Sequence, residues 1–283
     1  MNYDHKLLAA YSLKWNPFTP DIPDEALWRR TETDHFCWRV EQQVRNGGFA
    51  LVTGDSGTGK SITLRLLSRH LQGLPEIIVG TLNRPQSRLG DFYRELGDIF
   101  GVSLRVHNRW GSFSRLRERW EAHLSATLWR PVLLIDEAQE MKPEVLSELR
   151  LLSSKNLDSR SILTVVLAGD GQLIELLRQP RLIPLSTRIR TRLVFEYATP
   201  KQLSEFLNHL LTQAGNPRLM SPGLITTLCE HSAGNCRVLC NMAGELLAEG
   251  MQREVTQLDE KLYLELFSPS SKKRKGNNAP RAI

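Results

Sequence analysis

Eight consecutive residues, Gly54-Asp55-Ser56-Gly57-Thr58-Gly59-Lys60-Ser61, place glycines, a lysine and a hydroxyl at the spacing Gly-x4-Gly-Lys-Ser. A turn without side chains at its tightest points lets several backbone N–H groups converge on phosphate oxygens. A lysine in this position reaches β- and γ-phosphates, and the Ser61 hydroxyl is placed to ligate magnesium. The apolar run Phe49-Ala50-Leu51-Val52 precedes the loop. A helix predicted from Lys60, with Ile62, Leu64, Leu66, Leu67 and Leu71 as its apolar positions, follows it. The helix N-terminus adds positive potential where the phosphates would lie. A chance glycine-rich turn has no reason to sit in this strand–loop–helix order, so ATP and Mg2+ are the cofactors this segment predicts.

A second cluster completes that chemistry. The run Val132-Leu133-Leu134-Ile135 is fully apolar and ends on Asp136-Glu137. A buried strand of this kind delivers its following residues to the carboxyl edge of a parallel sheet. There Asp136 can hold the magnesium shell, and Glu137 can orient or deprotonate an attacking water. Two acids after a strand can also simply cap a helix. Their occurrence downstream of the phosphate loop makes them a Walker B pair.

The elements that must carry these residues are legible as an alternation. Strands are predicted at 49–52, 76–81, 131–135, 162–168 and 193–197. Helices are predicted near 34–45 and from Lys60, then at 89–100, 112–126, 142–152 and 173–177, with a polar turn at 105–111. The fold class is therefore α/β, a parallel sheet covered by helices on both faces. After Thr199-Pro200 the strand signals cease, and three or four helices fill the chain to Phe267, broken at Gly215-Asn216-Pro217 and Gly234-Asn235. The division expected is an N-terminal arm and helix (1–46), a nucleotide-binding domain (47–198), a small all-α lid (199–267) and a disordered basic tail (268–283). The arm mixes Tyr11, Trp15, Pro17, Phe18, Pro20, Pro23 and Trp28, and reads as irregular.

Composition bounds the setting. The chain has 283 residues, 41% hydrophobic and 24% charged, as in an ordinary globular protein. No apolar run is long enough to span a bilayer, and the N-terminus lacks the pattern of a signal peptide, so a cytoplasmic protein without membrane contact is expected. Of four cysteines, Cys37 stands apart, while Cys229, Cys236 and Cys240 fall in one short stretch beside His231. That grouping could hold a metal, but no Cys-x-x-Cys pair is present and buried reduced thiols are the simpler reading. The net charge of +6 is unevenly spread. Residues 84–130 hold nine arginines against five acids, residues 176–195 five arginines and no acid, and the last sixteen residues five basic groups and no acid. A polyanionic partner fits this distribution.

The run Asp136-Glu137-Ala138-Gln139, with Tyr11 and Pro17-Phe18 upstream, resembles the ExeA-type and TnsC-type branch of the AAA+ ATPases, from about Tyr11 to about Leu266. That resemblance implies roles for further residues. Asp170, in Ala168-Gly169-Asp170, falls in the sensor 1 place. An acid there is a departure, since it is repelled by phosphate unless protonated or turned away, so either hydrolysis is slow, or Gln172 is the sensor, or the pair is only an Asp-Gly turn. Arg188 matches an arginine finger supplied in trans, with Arg190 and Arg192 alternating after it, and a solvated edge is the alternative. Arg237, after Gly234-Asn235, matches sensor 2 on the lid, or is an ordinary surface arginine. The resemblance also implies a ring or helical filament with ATP between subunits, and an arm packed near the adenine or on the adjoining subunit.

Partners follow from the same likeness. TnsC-like proteins assemble with ATP on double-stranded DNA and present it to a transposase, in some cases through a target-recruiting protein. Here Arg84, Arg88, Arg105, Arg109 and Arg115, with His107, lie on the segment where relatives track DNA. Solvated helix faces paired with Glu118 and Glu121 are the alternative. ExeA-like proteins instead serve secretion-pathway assembly, and are expected to carry a membrane span and a wall-binding region after the lid, which this sequence does not show. A signalling or clamp-loading switch acting on proteins is the third possibility.

Overall fold

The computed structural model describes residues 3–104, 109–126, 130–155 and 160–267. Five parallel strands form its central sheet: β1 (Gly48–Thr53), β2 (Ile77–Leu82), β3 (Arg130–Ile135), β4 (Thr164–Gly169) and β5 (Ile189–Val194), in the order β2-β3-β4-β1-β5. Their alternation divides the core in two. Phe49, Leu51, Leu133, Ile135, Val165 and Leu167 face one side; Ala50, Val52, Val132, Leu134, Val166 and Ala168 face the other. Both faces are buried, which is why β1, β3 and β4 read as continuous apolar runs.

Helices α1 (Tyr3–Ala10) and α2 (Thr31–Val44) precede the sheet. The layer containing α2 and α3 (Lys60–Gln72) covers the second face. The first face is covered by α4 (Leu89–Phe100), α5 (Arg109–Ala126), α6 (Pro143–Ser153), α7 (Gly171–Leu177) and α8 (Ile183–Ser186). Helices α9 (Pro200–Ala214), α10 (Pro222–His231), α11 (Cys236–Gln252) and α12 (Glu260–Phe267) make a separate apolar cluster. Side-chain caps start all four, with Asp259 accepting from Leu262 N at α12. Thr199 forms a capping box with Gln202, Ser221 accepts from Leu224 N, and Asn235 from Arg237 N and Val238 N.

Several expectations need correction. The arm is not wholly irregular: α1 is helical, and Leu7, Tyr11, Leu13 and Phe18 are buried in the α9–α12 cluster. The last strand runs over 189–194 rather than 193–197. Its alternation is buried Ile189 and Thr191 against exposed Arg190 and Arg192, the period of an edge strand with one wet face. Arg190 and Arg192 are thus within the strand, and only Arg188 precedes it. Arg109 begins α5 instead of lying in a turn. A two-residue hairpin, Ser154–Lys155 with Arg160–Ser161, had no counterpart in the sequence reading. Arg105, His107 and the basic tail lie outside the described residues.

Candidate active site

The phosphate loop runs from the end of β1 to the first turn of α3. Gly57 and Gly59 adopt φ of +82° and +116°, which residues with a Cβ rarely hold. Gly54 and Gly57 are also crowded. A Cβ on Gly54 would lie 2.7 Å from Phe195 Cβ, and one on Gly57 2.2 Å from Asn235 Oδ1. Above Gly59 a Cβ would meet nothing within 4 Å, so the loop is open where phosphate would enter.

Lys60 is buried, and its ammonium donates to the carbonyls of Gly54 (2.8 Å) and Asp55 (3.0 Å). Neutral carbonyls hold a charge weakly compared with an anion, so phosphate oxygens can replace them as acceptors. Thr58 Oγ1 donates to Asp55 O (2.8 Å) and tightens the loop. Asp55 accepts from the Tyr197 hydroxyl, a bond that raises the Tyr197 pKa. These features fit a phosphate cradle, and α3 directs its first N–H groups at the same point.

The Walker B acids stand on the same carboxyl edge. Register pairs Ile135 with Leu167 on β4, and Thr53 with Gly169, so Asp136, Asp170 and the loop follow three neighbouring strands. Glu137 N donates to Asp136 Oδ1 (2.9 Å). Glu137 itself holds φ 49° and ψ 42°, a left-handed conformation that is costly for a non-glycine residue and tends to mark functional positions. Its side chain accepts from Gln139 Nε2. The carboxylate of Asp170 accepts from Gln172 N (2.8 Å) and caps α7. It is therefore held by a backbone donor on its own turn.

Arg237 and its neighbour Asn235 reach the loop from α11. Arg237 Nη1 donates to Ser56 Oγ and Asn235 Nδ2 to Ser56 O, each at 2.8 Å. The C-terminal helices thus touch the phosphate loop through two residues, of which sequence reasoning named only Arg237. The Asn235 signal was present, as a capping residue after Gly234, but nothing in a single sequence tells that its free amide hydrogens point at Ser56.

A cleft of about 260 Å³ joins these groups. Ser56 to Thr63, Glu137 and Arg237 line its phosphate end, while Phe18, Ile22, Trp28, Phe206 and Cys240 wall the other. The arm therefore lies along this cleft. Arg30, unmarked in the sequence, sets its guanidinium 4.8 Å from the Trp28 ring and 5.5 Å from that of Phe195. The three grouped cysteines belong to two helices, Cys229 on α10 and Cys236 and Cys240 on α11, and no cluster of three metal-ligating side chains occurs among the described residues.

Arg188 is elsewhere. Ile189 pairs with Phe49, at the amino end of β1, so Arg188 lies about 17 Å, five residues of strand, from Thr53 and the loop. It cannot serve the cleft of its own chain. Burial, then the neighbouring Arg150, holds its guanidinium below the ordinary pKa.

The arginines of the α4–α5 segment are scattered in role. Arg84, Arg88 and Arg115 are exposed, Arg115 donating to Ser103 O (3.2 Å). Arg109 instead grips the carboxylate of Glu148, through Nε (3.0 Å) and Nη2, and the Tyr93 hydroxyl donates to the same group. Glu148 is buried, so the otherwise exposed Arg109 is committed to pairing with it. The exposed segment also presents Trp110, 77% exposed, with its ring parallel to Phe113.

Sheet order, phosphate loop and acid pair give this chain the P-loop fold of the AAA+ ATPases, a class that uses ATP with Mg2+. Residues 42–177 match the family model described as AAA domain. The chain is 33% identical over 198 residues to the general secretion pathway protein A of Aeromonas hydrophila, an alignment covering 68% of this chain and 35% of that protein. It thus spans about a third of that relative's length. Among solved structures, the Aeropyrum pernix ORC1 protein in complex with DNA matches with a TM-score of 0.66 at 20% identity, covering 87% of this chain and 67% of that one. Domain III of the Thermotoga maritima replication initiation protein DnaA matches with a TM-score of 0.59 at 16% identity, covering 88% and 96%. Likeness at such identity concerns the fold alone. No helix among the described residues is long and apolar enough to cross a membrane.

Proposed function

We propose that this chain hydrolyses ATP at a site completed by a second copy of itself, and that the ATP-bound oligomer grips duplex DNA and presents it to a transposase. The observation that carries the first half is the convergence of the phosphate loop, Glu137 and Arg237 on one cleft, with Arg188 a full strand length away. Gly54 to Gly59 and Lys60 hold the phosphates. Ser61 and Asp136 would hold magnesium, which when bound would supply neutralisation of phosphate charge. Glu137 takes the proton of the attacking water. Arg237 ties the C-terminal helices to the γ-phosphate, and Arg188 of the neighbouring copy approaches the same group from outside. An arginine finger of this sort contributes roughly 10³–10⁵ in rate. The domains divide as 1–46, 47–198 and 199–267, the last acting as a lid.

Exposed Arg84, Arg88 and Arg115 on one segment support the DNA half, with Arg105 outside the described residues and Arg109 held by Glu148. Contacts to phosphate alone give sequence-tolerant, salt-sensitive binding. A second reading, ATP-driven assembly in a general secretion pathway, is favoured by the Aeromonas relative. One titration separates them. Duplex binding is measured with a non-hydrolysable ATP analogue from about 50 to 200 mM salt, where each neutralised phosphate contributes a slope of about −0.9 in log–log form. Nucleotide-dependent binding that falls with salt, and is lost in Lys60→Ala, supports the first reading. Salt-independent or undetectable binding by an assembled wild-type protein overturns it.

A further inference from the structure

Gln139 sits two residues beyond the second Walker B acid, on the 3-10 turn Ala138–Glu140, and none of the roles above uses it. Its two amide atoms are both engaged. Nε2 donates to Glu137 Oε2, and Oε1 accepts from the backbone N–H of Asp170 at 3.4 Å. A carboxylate can only accept and a backbone N–H can only donate, so the two partners fix which way the amide faces. The fit is close: a Cβ on Gly169 would lie 2.6 Å from Gln139 Oε1 and 2.7 Å from Leu173 Cδ2. Gly169 O in turn accepts from Gly54 N (3.3 Å), the first residue of the phosphate loop.

We infer that Gln139 is a positioning residue for hydrolysis, holding the Glu137 carboxylate in one orientation and tying it to the end of β4. This rests on the reading of Glu137 as the base. Glutamate has three rotatable side-chain bonds, and Glu137 stands at the rim of an open cleft on a left-handed backbone. Without a partner its carboxylate would sample several rotamers, and a base misplaced by about 1 Å can cost about 10²-fold in rate. The amide supplies the missing constraint from a rigid source, since Asp170 N belongs to the turn that joins the central strand β4 to α7. The nearby carboxylates cannot substitute. Asp136 and Asp170 are acceptors already engaged by the N–H groups of Glu137 and Gln172.

The test is steady-state and single-turnover hydrolysis by the full chain carrying Gln139→Met, which keeps length and loses the donor, or Gln139→Glu. Gln139→Met should lower kcat roughly tenfold to a hundredfold, the loss of one hydrogen bond to a charged group, while KM and nucleotide affinity stay within about twofold. Gln139→Glu should be worse than Gln139→Met at pH 8, where two carboxylates repel. It should regain activity relative to wild type towards pH 6, where a shared proton restores a donor. A kcat within twofold of wild type in Gln139→Met overturns the inference, as does a loss of kcat matched by equal losses in affinity and thermal stability. Should Gln139→Met not fold, the pH trend of Gln139→Glu decides alone, a flat ratio being the refuting result. Glu137→Gln is measured alongside. If it retains hydrolysis, the base reading falls; if it is inactive while Gln139→Met is normal, only the role of Gln139 falls.

Discussion

Deleting Arg109 should unfold the protein more easily before it changes anything about DNA. Its guanidinium is paired with the Glu148 carboxylate, whose side chain is 3% exposed, and the Tyr93 hydroxyl donates to Oε1 of the same group. Burial, reinforced by Glu148, raises the Tyr93 pKa well above the usual range, so the phenol stays a donor. Removing one partner of a buried ion pair commonly costs about 3–5 kcal/mol, because the other charge is left without compensation. Two facts reduce that figure here. Arg109 is itself 62% exposed, so water enters where the guanidinium leaves, and Tyr93 remains bonded. With that screening, Arg109→Ala should cost about 1–3 kcal/mol. For a chain of similar size each kcal/mol lowers Tm by roughly 2–4 °C. The assay is denaturant and thermal unfolding of Arg109→Ala, Glu148→Gln and the double variant, with duplex binding measured on the folded proteins. The single losses should not add, since each removes the same interaction. Unchanged stability in Arg109→Ala, with weaker DNA binding and a shallower salt slope, refutes this account and returns Arg109 to the set of phosphate contacts.

Three other perturbations discriminate as sharply. Arg188→Ala, at a half-buried position, should cost monomer stability no more than about 1 kcal/mol, while lowering turnover by roughly 10³-fold or more. Adding Lys60→Ala protein, which cannot bind nucleotide but carries Arg188, should restore part of that turnover in mixed oligomers, and absence of any recovery argues against a finger in trans. Asp170→Ala should cost about 0.5–2 kcal/mol through loss of the α7 cap, with kcat for ATP little changed; a large change in kcat at constant stability would instead make Asp170 a phosphate sensor. Burial pushes the thiols of Cys37 and Cys229 up to about 11 and that of Cys240 up to about 12. An unfolded thiol titrates near pH 8.5, so above that pH the unfolded chain loses protons that the folded one keeps. Stability should therefore be full below about pH 8.5 and fall as pH rises towards 11; a urea midpoint that stays flat between pH 8 and 10.5, under reducing conditions, contradicts it.

The parts legible in the sequence were those in which local pattern and global position agree. The runs at β1, β3 and β4 are apolar because both faces are covered, and the loop between β1 and α3 has residue types that scarcely suit another purpose. What escaped was set by partners far along the chain. Tyr3–Ala10 has no strong period of its own and is ordered by packing Leu7 into the α9–α12 cluster. Strand β5 shows its alternation, Ile189-Arg190-Thr191-Arg192, but the arginines that make its wet face drew the reading towards the apolar residues after it. Arg109 looked like its neighbours Arg84, Arg88 and Arg115. Only the fold reveals a buried glutamate 39 residues away that needs it. Gln139, Asn235 and Arg30 belong to the same group, since each works through a contact that spacing does not encode.

Those distant contacts also explain how the cleft can report its contents. Residues 20–25 are fastened to α3, where Arg65 donates to Pro20 O, Ile22 O and Asp24 Oδ1 and Arg69 pairs with Glu25. Leu7, Tyr11, Leu13 and Phe18 are instead buried among the C-terminal helices, with Lys14 N donating to Ala214 O. The arm therefore joins two bodies, and the cleft lies where it crosses between them. At the phosphate end those bodies meet through Asn235 and Arg237 on Ser56, exposed hydrogen bonds that contribute about 0.5–1.5 kcal/mol each. Together they amount to about 1–3 kcal/mol, which is the size of a typical coupling free energy between sites. A ligand that takes over the donors on Ser56 would alter that balance by a factor of roughly 5–150, without disturbing either apolar core. Polar contacts at the loop and apolar ones at the arm would thus let the C-terminal helices act as the proposed lid, shifting with nucleotide yet remaining attached.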